Sequence, residues 1–203
     1  MAGKDRGRPQ QRLRTRKDLL QAAARLMRKG GQPGLEDVAA EAMVSRATAY
    51  RYFPDAGALL AEASLDVEVP DADTLFGNDP TLDPVARLEM VDTAMHDAVT
   101  ENETQMRRML AHAVTRVLDA SPDDGTPPRQ NRRLPLIDAA LAPARAQFAP
   151  AAMRRLEHAL ALILGTEGVI VGKDVLRIDD AELRRVKRWA IRALVEAARK
   201  PNR

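Results

Sequence analysis

Apolar residues recur at helical spacing along almost the whole chain, and no segment keeps up the strict alternation of a half-buried strand. A first helix is predicted over about 12–29, with Leu19, Ala22, Ala23, Leu26 and Met27 inward and Gly30–Gly31 closing it. Short helices follow at 35–42 and 46–52, and a longer one at about 56–66. Residues 67–82 hold Pro70, Gly77 and Pro80 and read as a loop. Asp83–Pro84 starts the next helix, to about Val99, and Thr100 with Glu103 forms a capping box for one reaching about Asp119. The run 120–130, ASPDDGTPPRQ, reads as an exposed linker. Helices at about 131–147 and 151–172 precede a last one, capped by Asp179 and Glu182 and ending near Arg199. The pattern predicts an all-α protein of about nine helices with a boundary near residue 63.

Charge placement sharpens this picture. Residues 1–17 hold seven basic side chains (Lys4, Arg6, Arg8, Arg12, Arg14, Arg16, Lys17) against Asp5, a net of +6. The whole chain is +3, so residues 18–203 sum to −3. A basic arm on a slightly acidic body suits a polyanionic partner. The chain has no Cys, no leader-like apolar segment at its start and no uninterrupted apolar run of membrane-spanning length, so a cytoplasmic protein without membrane attachment is expected.

The segment 35–63, LEDVAAEAMVSRATAYRYFPDAGALLAEA, carries the functional signal. Leu35, Val38, Ala39 and Ala42 line one short helix, Val44 plugs a tight turn, and Ser45 caps the second short helix. Two helices this short cannot bury their own apolar surface, so the first long helix must cover them. That is a three-helix DNA-binding module, a helix-turn-helix. Val38–Ala39, Val44–Ser45, Thr48, Tyr50, Tyr52–Phe53, Pro54 and Leu59–Leu60 resemble the signature of the TetR family of transcription regulators. Met43 stands where the family usually has Gly, Ala49 where it has Leu, and Asp55–Ala56 where it has Ser-Lys. A non-Gly residue at positive φ in that turn costs on the order of 1 kcal/mol.

The resemblance implies a DNA-binding domain over 1–63 and a helical effector-binding and dimerisation domain over 64–203. It also implies a homodimer on a double-stranded operator, released by an unidentified small molecule. Positions matching Thr48 and Tyr50 commonly touch DNA in the family. Beside them the second short helix offers Ser45, Arg46 (suited to guanine), Ala47 and Arg51. Arg12, Arg14, Arg16 and Lys17 are expected to add phosphate contacts. Tyr52 is either a DNA contact or a wedge between this helix and the next. An activator of the same family, and a helical scaffold with a degenerate module, stay open.

In the helix at 151–172, Ala161, Gly165, Gly168 and Gly172 form a small-residue stripe. With Val186, Trp189, Ala190, Ala193 and Leu194 of the last helix it is expected in a dimer interface, or else in close packing within the monomer. Asp92 and Glu167 sit on apolar faces, where acids are seldom buried unpaired. They either pair internally, with His96 or an Arg, or line an effector pocket with Leu88, Met95, His96, Met106, Met109 and Leu110. No catalytic residue set, cofactor motif or metal-ligand spacing is legible.

Overall fold

In the computed structural model, residues 7–77, 81–119 and 131–199 are described. Lys4, Arg6 and the linker at 120–130 lie outside them. Every named element among the described residues is helical: α1 (Gly7–Arg28), α2 (Leu35–Glu41), α3 (Arg46–Tyr52), α4 (Ala56–Glu68), α5 (Ala72–Phe76), α6 (Pro84–Glu101), α7 (Glu103–Asp119), α8 (Arg133–Leu141), α9 (Pro150–Ile163), α10 (Thr166–Ile170) and α11 (Asp180–Ala198). A 3₁₀ turn (Ala142–Gln147) follows α8, and a π turn (Val171–Leu176) follows α10.

Four expectations about elements change. From Gly7 onward the segment read as a basic arm is already helix, since α1 spans Gly7–Arg28. The loop at 67–82 contains α5, capped by Asp71, whose carboxylate accepts the Thr74 N–H at 2.8 Å. Thr100 lies inside α6 and its buried hydroxyl has no hydrogen-bond partner, so it forms no capping box with Glu103. Instead Asn102 alone separates α6 from α7, its carbonyl accepting the Met106 N–H. The helix expected at 151–172 breaks at Leu164–Gly165, where Gly165 takes φ +102°. That conformation suits a residue without Cβ, so the glycine that was read as part of a continuous stripe ends the helix.

Contacts sort the chain into two units that do not follow one boundary near residue 63. The first comprises residues 1–68 and 102–130, the second 69–101 and 131–203. In the first, α1 runs against α2 and α4, and α2 against α3. Leu19, Leu20, Ala23, Leu35, Val38, Ala49, Phe53 and Leu59 form its core. Each such Leu or Phe contributes about 1.5–3 kcal/mol by leaving water. Across the α1–α4 seam the buried guanidinium of Arg16 meets Glu62 through two 2.5 Å bonds and lies 5.0 Å from the Phe53 ring centre. α7 also packs on α4 and buries Met106, Met109 and Ala113.

The second unit gathers α5, α6 and α8–α11 around Leu88, Val91, Ile137, Leu141, Leu160, Leu164, Ile191 and Val195. Arg87 is buried there over the Phe76 ring, 3.8 Å from its centre. It donates to the Ala139 and Ala140 carbonyls near the C-terminal end of α8, where a cation complements the helix dipole.

Candidate nucleic-acid interface

The turn that aims α3 is set by backbone chemistry. After α2, the Met43 N–H donates to the Ala40 carbonyl and the Val44 N–H to that of Ala39, at 3.0 and 2.9 Å. This pair of bonds, with Met43 at φ +55°, is a Schellman ending. Val44 then packs on the core and Ser45 caps α3, accepting the Thr48 N–H at 3.1 Å. Ala49, Tyr52 and Phe53 are buried, which fastens the inner side of α3 and leaves the opposite side to solvent.

That outer side carries Ser45, Arg46, Ala47, Tyr50 and Arg51, all exposed, with Thr48 half-buried beside them. Thr48 Oγ1 lies 2.8 Å from Ser45 Oγ, so the two hydroxyls form one polar tip. Arg46 forms an ion pair with Glu36 at the start of α2. On α1, Arg14 and Lys17 are exposed and Arg12 is half-buried. Met43, 93% exposed, stands at the apex of the turn.

Two expected DNA contacts are corrected. Arg16 is 3% exposed and committed to Glu62 and Phe53; it belongs to the core seam rather than to a phosphate. Tyr52 is buried in the core and acts as the wedge. A count of basic residues along α1 cannot separate Arg16 from its neighbours; its partner Glu62, the penultimate residue of the 35–63 motif, is brought to it only by the packing of α4 on α1.

The residues expected to line a pocket divide between the two units. Met106, Met109 and Leu110 lie in the first; Leu88, Asp92, Met95, His96 and Glu167 lie in the second. Asp92 is buried against the Lys187 ammonium. His96, fully buried, has Lys187 Nζ 3.1 Å from Nδ1 and Asp180 Oδ1 2.6 Å from Nε2. Burial holds the imidazole below its ordinary pKa, with the Lys187 and Arg184 charges adding to the shift against the opposing pull of Asp180. The same burial lowers Lys187, opposed by Asp92. Asp180, bonded to Arg184 and His96, is held down to about 2. Glu167 accepts from Arg133 at 2.6 Å. Both acids are therefore paired internally, Asp92 with a lysine that the sequence reading did not consider. Lys187 stands in register with the buried row of α11: Leu183, Lys187, Ile191 and Val195 recur every four residues and all four are buried.

The small-residue stripe is likewise used within the chain. A Cβ on Gly172 would stand 2.7 Å from the Leu183 methyls, and one on Gly168 2.2 Å from the Ile163 carbonyl oxygen. One on Gly165 would meet the Arg133 guanidinium at 3.1 Å. Ala161 and Leu194 pack on the core of the second unit. Val186, Trp189 and Ala193 are exposed on α11, as is Leu162 on α9, with Ala190 half-buried. A shallow groove of about 470 Å³ in the same unit is lined by Leu75, Ala86, Glu89, Met90, Thr93 and Ala94.

A three-helix module with a firmly seated, outward-facing third helix defines the class: a helix-turn-helix DNA-binding protein. Residues 19–63, from within α1 into α4, match the family model of bacterial regulatory proteins, tetR family. That match, over a helix-turn-helix module, supports DNA binding of the kind found in transcriptional regulators of that family. No curated protein and no solved structure matches the chain. No described helix is long and apolar enough to cross a membrane.

Proposed function

We propose that this regulator is a repressor, that two copies place their α3 helices in successive major grooves of one operator, and that a small molecule releases them. The exposed tip of α3 carries this reading. Arg46 has the donors for guanine O6 and N7, Ala47 leaves room for close approach, and Ser45, Thr48, Tyr50 and Arg51 can reach phosphates or base edges. Arg12, Arg14 and Lys17 add positive charge from α1.

A homodimer is supported by the apolar surface that the second unit leaves in water: Trp189 (70% exposed), Val186 and Ala193 on α11 and Leu162 on α9. The groove beside α6 supports an effector site, being in the size range of small-molecule sites, with Met90 able to adapt to its occupant. Such an effector acts only by preferring one arrangement of the dimer over another.

Selection of bound duplexes from a random pool tests the reading. The expected product is a palindrome with half-sites about one DNA turn, ~34–36 Å, apart. Arg46→Ala should relax the preference at one base pair by about 1–3 kcal/mol. Recovery of no sequence preferred over bulk DNA would sink the proposal.

A further inference from the structure

Glu36 carries a negative charge that opposes phosphates, yet it sits beside the residue best suited to read a base. It occupies the first turn of α2, with Asp37 next to it, and its carboxylate Oε1 holds Arg46 Nη2 across the turn. Asp37 is already engaged, accepting the Gly34 N–H at 2.8 Å. The two carboxylates satisfy the positive end of α2 that would otherwise attract a phosphate. Both Glu36 and Arg46 are exposed, so neither is fixed by the core and their pairing is open to exchange.

The geometry points to Glu36 as a specificity-determining residue that reserves Arg46 for a base edge and withholds it from phosphates. This rests on the proposed DNA-reading role of α3. A guanidinium has five N–H donors in a fixed plane, and Glu36 engages the Nη2 side. The rest of the fork can donate to a guanine while Glu36 keeps it oriented. A phosphate offers the opposite outcome. It must compete with the carboxylate for the same cation, and once it has Arg46 it stands beside the Glu36 charge. Glu36 therefore penalises the charge-driven, sequence-blind complex more than the base-reading one, in which the groove edge carries no net charge.

The test uses the full chain with two probes: a duplex recovered by selection and sheared bulk DNA, each titrated across a salt series. Glu36→Gln is expected to raise bulk-DNA affinity several-fold and to steepen its salt dependence by about 0.9 in log K against log salt, one phosphate's worth. Affinity for the selected duplex should rise less, so the ratio of the two falls. In an Arg46→Ala background, Glu36→Gln should do nothing to that ratio or slope. Equal gains on both probes, or a Glu36→Gln effect that survives in Arg46→Ala, overturn the inference, since loss of one negative charge would then explain everything. A wild-type chain that prefers no selected duplex over bulk DNA is a separate result, overturning the DNA-reading role itself before any variant is compared.

Discussion

Gly30 and Met43 hold the same place in two copies of one helix-ending motif. After α1, the Gly30 N–H donates to the Met27 carbonyl and that of Gly31 to Leu26, with Gly30 at φ +82°. After α2 the same bonds form around Met43 at φ +55°. Gly30 has no Cβ to clash with the following carbonyl; Met43 has one, and its exposed side chain gains no packing in return. Met43→Gly should therefore stabilise the protein by about 1 kcal/mol, a rise in thermal midpoint of about 2–4 °C at this size. A thermal melt showing a lower midpoint for the variant would rule out strain at this turn. The position was legible in the sequence because the family pattern marks it as a glycine site. The role of Arg16 was not, because the chain writes a buried arginine and a solvent-facing one identically, and only the fold supplies Glu62.

At the scale of elements, α6 and α11 are joined by a ladder of polar pairs: Glu89 with Arg192, Asp92 with Lys187, His96 with Lys187 and Asp180, and Asp97 with Arg184. The outer rungs are solvated and contribute little. The Asp92–Lys187 rung is buried, and removing one partner strands the other's charge. Lys187→Ala should cost about 3–5 kcal/mol, whereas Asp92→Leu with Lys187→Met together should recover most of that loss. Denaturant midpoints for the two variants check this; equal losses in the single and the double variant would exclude charge stranding. His96 makes the ladder sensitive to acid. Its native pKa lies below the unfolded value of 6.5, so the unfolded chain takes up the proton first. Stability from this site is present above pH 6.5 and is lost as pH falls from there through the lower native pKa. Unfolding by denaturant at pH 7.5 and 5.5 should reveal that loss, and His96→Gln should remove most of the difference. Helix α11 itself was legible from its caps and period. Which side it buries was not, because a lysine within an apolar row reads as surface until an acid on another helix is known to face it.

Across the whole molecule, the all-helical class and the position of the DNA-binding module follow directly from periodicity and from the 35–63 motif. The division into units does not. Residues 102–130 return to the first unit after α5 and α6 have entered the second, a path that no local pattern announces. The break at Gly165 was hidden for a related reason: glycines at helical spacing read equally as a stripe or as stops, and the φ of +102° decides for a stop. With the glycines spent inside the chain, the proposed dimer surface falls to the exposed apolar residues of α11 and α9. Trp189→Glu should shift the sedimentation of the proposed dimer to that of a 22.3 kDa chain, and unchanged sedimentation would place association elsewhere.

Trp189 is the chain's single tryptophan, so all indole emission reports from one point on α11. Water relaxes around an exposed excited indole and reddens its light, and a covering neighbour prevents this. A dilution series that excites this one ring should therefore drift from shorter to longer wavelengths as the proposed dimer comes apart. The same curve, with no label attached, would give the concentration at which they do so.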